Sequence, residues 1–107
     1  MSPFFSVVIP SSTRSSTILP TLLTVQRQTC GDFECIIVDD GSKDAMALDE
    51  VVAQLSDARF RVIHQTNGGG GAARNTGIEA ARGRYIAFLD SDDFFITEKL
   101  ATFKDYL

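Results

Sequence analysis

The 107-residue sequence has no tryptophan, one histidine, two cysteines and three prolines. Cys30 and Cys35 match neither a C-x-x-C pair nor the spacing of zinc ligands, and only His64 could join them, so they read as buried or incidental thiols. No apolar run approaches the roughly 20 residues that a membrane-spanning helix needs. The longest stretches, residues 33–38 and 85–89, have the length of strands. Basic residues are also short: 10 Lys and Arg face 14 Asp and Glu, a net charge of −4 with a pI near 4.7. That is the wrong sign for a domain that grips nucleic acid by neutralising phosphates, so no nucleic-acid partner is expected. The N-terminus lacks a basic segment, and Ser6 and Pro10 break its apolar run, so it does not read as a signal peptide. The expected location is cytoplasmic.

What is present suits a globular chain. With 44% hydrophobic and 22% charged residues, it can build a core, and its length allows one domain, spanning residues 1–107. Residues 5–9, 33–39, 60–64 and 85–89 are rich in Val, Ile or Phe and predict strands. Between them the apolar spacing predicts helices over residues 16–28, 44–55 and 72–81. Pro20 fits the first turn of the first helix. Thr97 is placed to cap a fourth helix carrying Leu100, Phe103 and Leu107 on one face. Alternating strands and helices, with strands apolar along their whole length, define an α/β fold: a parallel sheet flanked by helices on both faces. In such sheets ligands bind beyond the carboxyl ends of the strands.

Those ends are acidic and glycine-rich. "IIVDDGS" follows the second strand and "FLDSDD" the fourth, which puts Asp39, Asp40, Asp90, Asp92 and Asp93 on one sheet edge. Two carboxylates ~4 Å apart repel by about 4 kcal/mol at an effective dielectric near 20, so a divalent cation is the economical partner. Hard oxygen donors point to Mg²⁺ or Mn²⁺. Taken singly, Asp39 and Asp93 read as cap or turn residues. The third strand leads into "HQTNGGGGAARNTG", where amides at a helix start and Arg74 in its first turn suit a diphosphate. Gly83 reads as the C-terminal cap of that helix, and His64 as a strand-end residue satisfied by a neighbour.

Together "FSVVIP", "QTCGDFECIIVDDGSKD", "NGGGGAARNTGIEAARGRYIAFLDSDD" and "EKL", in this order and spacing, resemble the N-terminal half of family 2 glycosyltransferases of the GT-A fold. The resemblance covers nearly the whole chain and implies a Rossmann-like, GT-A-like sheet, here truncated. It implies transfer of a sugar from a nucleoside-diphosphate donor, with UDP-sugars the commonest, to a glycan or lipid-linked acceptor, with inversion. Asp90 and Asp92 match the family's D-x-D. By that match Asp92 would bind Mn²⁺ or Mg²⁺ bridging the diphosphate, Asp90 would reach the ribose or a metal-bound water, and Asp40 would contact the base. Arg74 and Gly69 would lie near the nucleotide, and Pro10, Ser12 and Thr13 would wall it. Two departures stand out. Ser12 and Thr13 replace the family's usual aromatic residue and Asn, which removes a surface for stacking on the base. No residue matches the general base, which the family carries in its second half, so the chain reads as the donor-binding half, inactive alone. In the full-length protein it would work in the cytoplasm, at the inner face of the membrane. The fourth strand then has an open edge through which self-association is expected.

Other readings fit less of the sequence. Gly68, Gly70 and Ala73 satisfy the G-x-G-x-x-A of NAD-dependent dehydrogenases, but four consecutive glycines satisfy many patterns, and a ribose needs one acid where this chain has three. "IIVDD" resembles the acidic pair of response-regulator receivers, yet too little chain follows Asp90 to complete that fold. A non-catalytic nucleotide- or protein-binding module of the same fold is favoured by Ser12 and Thr13 and opposed by the intact Asp90 and Asp92.

Overall fold

The structure, a computed structural model, describes residues 2–11, 18–66 and 68–107. Its elements alternate as expected: β1 (Phe5–Ser11), α1 (Leu19–Gln26), β2 (Phe33–Asp40), α2 (Ala45–Gln54), β3 (Phe60–Gln65), α3 (Gly70–Ala80), β4 (Tyr85–Phe88) and α4 (Lys99–Tyr106). The strands pair in parallel in the order β3-β2-β1-β4. The order reverses beside β1, and the crossover β3-α3-β4 therefore lands α3 on the face opposite α1 and α2.

Side chains alternate between the two faces along each strand, and both faces of β1 and β2 are buried. Val7, Ile9, Cys35 and Ile37 pack with Ile18, Leu22 and Val25 of the α1 region, Leu48 and Val52 of α2, and Leu100 of α4. On the other face Ile36 and Val38 pack against Ala73 of α3. Each such side chain contributes about 1.5–3 kcal/mol by leaving water, which makes β1 and β2 the anchor of the domain. Small residues let α3 lie close: a Cβ on Gly77 would stand 2.3 Å from Cγ1 of Val8. Cys35 is fully buried, and desolvation pushes its thiol well above the usual range, so it is inert packing.

Several local expectations change. Residues 12–17, including Ser12, Thr13 and the start expected for the first helix, lie outside the described residues. Pro20 does sit in the first turn of α1. Helix α3 begins at Gly70, two residues earlier than the apolar spacing suggests, so Arg74 falls in its second turn. The earlier start is set by Gly69, whose φ of +87° only glycine adopts cheaply. Gly83 is not a helix cap. The C-cap of α3 is Ala81, and Gly83 is small because a Cβ there would meet the Ser6 backbone nitrogen at 2.6 Å. Thr97 does not cap α4 either: Glu98 holds that position without a side-chain bond, while the Thr97 carbonyl accepts the Thr29 N–H. Of the apolar face expected on α4, Leu100 is buried, but Phe103 and Leu107 are 44% and 63% exposed.

Strand β4 departs most. Its sequence reads as a buried strand, yet Tyr85, Ile86 and Phe88 are 39%, 38% and 46% exposed. The register pairs Ser6 with Ile86 and Val8 with Phe88, which puts Ile86 and Phe88 on the α3 face, but α3 lies over β1 and β2. Among the described residues no strand pairs with the outer side of β4.

Candidate functional site

The carboxyl ends of the strands carry Ser11, Asp40, Gln65 and, just past β4, Asp90. The two acidic groups do not merge. β1 separates β2 from β4, so strand spacing alone holds Asp39 and Asp40 roughly 10 Å from the β4 end. Among the described residues no three His, Cys, Asp or Glu side chains converge to hold a metal ion. The sequence suggested one crowded acidic edge that needs a cation; the fold instead divides the charge and gives two of the five aspartates, Asp39 and Asp40, internal partners.

Asp39 is 1% exposed. One carboxylate oxygen accepts the Ser42 N–H at 2.9 Å, closing the turn after β2, and the other meets His64 Nδ1 at 2.7 Å. His64 Nε2 in turn meets Asp49 of α2 at 2.7 Å. An ionised carboxylate can only accept, so both contacts are hydrogen bonds only when both ring nitrogens carry protons, an arrangement that favours the imidazolium. Its pKa is raised, first by the bond to Asp39 and then by that to Asp49. The neighbour expected to satisfy His64 is thus a pair of carboxylates, and the turn role read for Asp39 is the one it has.

Asp40 organises the glycine loop. Its Oδ1 accepts the Gln65 side-chain amide at 2.9 Å and the Gly68 N–H at 2.8 Å, and its Oδ2 accepts the Gly69 N–H at 3.0 Å. The Gln65 amide, followed by these backbone donors, lowers the Asp40 pKa, so the carboxylate stays charged at neutral pH. Gln65 is itself held by the Thr76 hydroxyl of α3. The amides of Gly68 and Gly69 are therefore not free for a diphosphate, as the glycine run alone suggested; they brace Asp40, which keeps lone-pair capacity on Oδ2. The Ser42 hydroxyl, in the adjoining turn, is the one buried side-chain polar atom among the described residues with no partner.

At the end of β4, Asp90 and Asp92 are exposed, and Asp90 faces Arg74 at 3.9 Å, a loose pair with both side chains about half in water. A hollow of about 450 Å³ opens here, lined by Arg74, Phe88, Asp90, Asp93, Phe94 and Lys99 among others. These carboxylates are not tied into strong internal pairs, so the donor set fits a hard divalent cation that takes most of its shell from water and a substrate's phosphate oxygens. It does not fit an all-protein cage. Pro10 lies near the end of β1, half-buried, paired in register with Val38. The fold thus gathers Pro10, Asp40, Gly69, Arg74, Asp90 and Asp92 on one edge, with Arg74 drawn to Asp90; Ser12 lies outside the described residues.

The residues that hold the D-x-D segment were not evident from sequence. The Thr21 hydroxyl of α1, fully buried, donates to the carbonyl of Ser91 at 2.9 Å. Thr24 accepts the Phe95 N–H, and Gln28 both donates to the Ile96 carbonyl and accepts the Leu100 N–H. The signal available was a pair of threonines at i and i+3 on an apolar helix, with Gln28 just past its end. A second hollow, of about 470 Å³, lies at the opposite edge of the sheet among Arg59, Arg61 and Glu34. Arg59 is paired there with Asp57 and Arg61 with Glu34, so that end is a structural ion-pair cluster.

A parallel sheet with acidic and glycine-rich loops where its strand order reverses is a doubly wound α/β fold, and its likeness to solved glycosyltransferases makes it GT-A-like. The structure of Staphylococcus aureus TarS 1–349 in complex with UDP-GlcNAc matches 99% of this chain and 31% of its own, with a TM-score of 0.87 and 30% identity. The chain belongs to glycosyl transferase family 2, whose model matches residues 6–107. It is 45% identical over 96 residues to the Bacillus subtilis (strain 168) glycosyltransferase EpsJ, covering 88% of this chain and 27% of that protein. It is 38% identical over 96 residues to the Escherichia coli UDP-Glc:alpha-D-GlcNAc-diphosphoundecaprenol beta-1,3-glucosyltransferase WfgD, covering 89% of this chain and 37% of that protein. The chain thus spans about a third of the length of these proteins.

Proposed function

We propose that residues 1–107 form the donor-binding half of a glycosyltransferase that moves a sugar from a UDP-sugar to a glycan or lipid-linked acceptor, with inversion, at the cytoplasmic face of a membrane. The observation that carries this is the paired arrangement at the sheet edge: a charged Asp40 set by Gln65 and two loop amides on one side of β1, and Arg74 with Asp90 and Asp92 on the other. The interval suits a nucleotide laid across β1, its base toward Asp40 and its diphosphate toward Asp92. Pro10 and Ser12 would wall the base, Gly69 would let the backbone approach it, and Asp90 would take the ribose. Mn²⁺ or Mg²⁺ held by Asp92 would neutralise charge developing on the departing diphosphate. Arg74 adds a second cation there, and the fixed edge holds the donor for in-line attack. The general base and acceptor site are supplied from outside these residues.

The choice of donor is supported by TarS, solved with UDP-GlcNAc, and the lipid-linked acceptor by WfgD, whose name gives a diphosphoundecaprenol substrate. No helix among the described residues is long and apolar enough to cross a membrane. The test is the melting temperature with UDP, GDP or NAD⁺, with and without Mn²⁺. Ligand at about 100 times its dissociation constant adds ~2.7 kcal/mol of stability. A UDP shift that requires Mn²⁺ supports the reading; a shift with NAD⁺ alone overturns it, and no shift at all means either that residues outside these 107 complete the site or that this is a non-catalytic module. Self-association through the exposed β4 edge is the further proposal for this chain as it stands. The flanking charges suit a two-fold antiparallel pairing, with Arg82 and Arg84 before the strand and Asp90 and Asp92 after it. Sedimentation should show a dimer that Arg84→Glu dissociates, and a monomer at high concentration would refute it.

A further inference from the structure

The ten residues Ser91–Leu100 are irregular until α4 begins, yet four of their backbone groups are bonded to side chains of α1 and of the turn that follows it. Thr21 and Thr24 stand at i and i+3 on one face of α1, and Gln28 follows two residues past the end of the helix. They reach Ser91, Phe95, Ile96 and Leu100 at 2.9, 3.1, 2.7 and 3.0 Å in turn. The Thr24 hydroxyl also donates to the Thr21 carbonyl at 2.7 Å, which leaves its lone pair aimed at the Phe95 N–H. The first of these contacts falls on the residue between Asp90 and Asp92. Ser91 is 8% exposed and Thr21 is fully buried, so no water replaces that bond.

We propose that Thr21 is a positioning residue for the donor site: its buried hydroxyl fixes the carbonyl of Ser91 and thereby the angle at which Asp90 and Asp92 present their carboxylates. Thr24 and Gln28 extend the same clamp to the segment that follows. A turn free to rotate would spread the two carboxylates over many geometries, and a divalent cation sharing its shell with a diphosphate tolerates few. The role rests on the donor site proposed above, and its readouts separate the two.

The experiment compares the wild-type chain with Thr21→Val, which keeps the shape and loses the hydroxyl, and Thr21→Ser, which restores it. Amide hydrogen exchange by NMR reads the clamp at Ser91, Asp92 and Phe95; calorimetric titration of UDP in Mn²⁺ reads the site. Thr21→Val should exchange faster at these amides than at those of β1 and β2. It should also bind UDP roughly tenfold more weakly, equal to about 1.4 kcal/mol, while Thr21→Ser stays near wild type in both. Unchanged exchange in Thr21→Val overturns the clamp. Faster exchange with unchanged UDP affinity, or a lower melting temperature alone, reduces Thr21 to a scaffold residue and overturns the positioning role. If the wild type binds no UDP, the donor-site reading fails, and faster exchange in Thr21→Val still supports the clamp.

Discussion

Removing the proton from His64 should loosen the turn that carries Asp39 and Asp40. Both imidazole nitrogens face carboxylates at 2.7 Å, so the fold favours the charged ring and its pKa is raised. A raised pKa means that the bridge contributes its full stability below the unfolded value of about 6.5 and loses it as pH climbs through the higher folded value. The neutral ring can still donate one bond, and the buried Asp39, with a side chain 2% exposed, will keep it; the Asp49 bond, at a side chain 55% exposed, is the one lost. An exposed pair contributes about 0–1 kcal/mol, and weakening the bond to a buried charge adds about 1 kcal/mol. Raising the pH from about 6 to 9 should therefore cost about 1–2 kcal/mol, or a melting temperature lower by roughly 5–15 °C for a domain of this size. Glu34, Asp40 and Asp57 all have lowered values, so their titration lies well below this window. The chain has a single histidine, so one imidazole resonance reports the pKa without assignment work. His64→Gln should flatten the dependence. A His64 that titrates at or below the free-imidazole value, or a His64→Gln variant with the same pH slope as wild type, would refute the bridge.

The remaining expectations concern packing and charge. Gly83→Ala puts a Cβ 2.6 Å from the Ser6 nitrogen and 2.7 Å from the Phe5 carbonyl carbon, backbone that cannot step aside, and should cost about 2–4 kcal/mol in a urea melt. Gly77→Ala meets the Val8 side chain instead and should cost about 1–3 kcal/mol. Asp57, lowered to about 2 chiefly by its bond to the Arg59 side chain, contributes stability above its unfolded value that is lost as pH falls through about 2. With Arg59 a third exposed and screened, Asp57→Asn should cost about 1 kcal/mol near pH 7 and almost nothing near pH 2.

The alternation of strands and helices was readable because β1 and β2 are buried on both faces and carry unbroken apolar runs, residues 7–9 and 35–38, and the strand ends followed from that. The D-x-D loop and Asp40 could be placed on the right edge for the same reason. Other features depend on distances that no local pattern encodes. Gly83 looked like a helix cap because it follows a helix, whereas its size is set by Ser6, far away in sequence. The five aspartates looked like one cluster because sequence records order along strands and not the position of β1 between β2 and β4. Thr21, Thr24 and Gln28 passed as ordinary helix residues, since their partners lie about 70 positions on. Phe103, Leu107 and the face of β4 read as core because their sequence is apolar, but the described residues cover them only in part.

The central claim, a nucleotide laid across β1 from Asp40 to Asp92, is tested most directly by mapping amide NMR shifts of the 107-residue chain on addition of UDP with Mg²⁺. The account predicts changes at Asp40, Gly68, Gly69 and Arg74 and at Asp90 to Asp92, on both sides of β1 at once, with those at Asp90 to Asp92 lost in Asp92→Asn. Changes confined to the opposite edge, near Arg59 and Arg61, or no changes at saturating UDP, would contradict it.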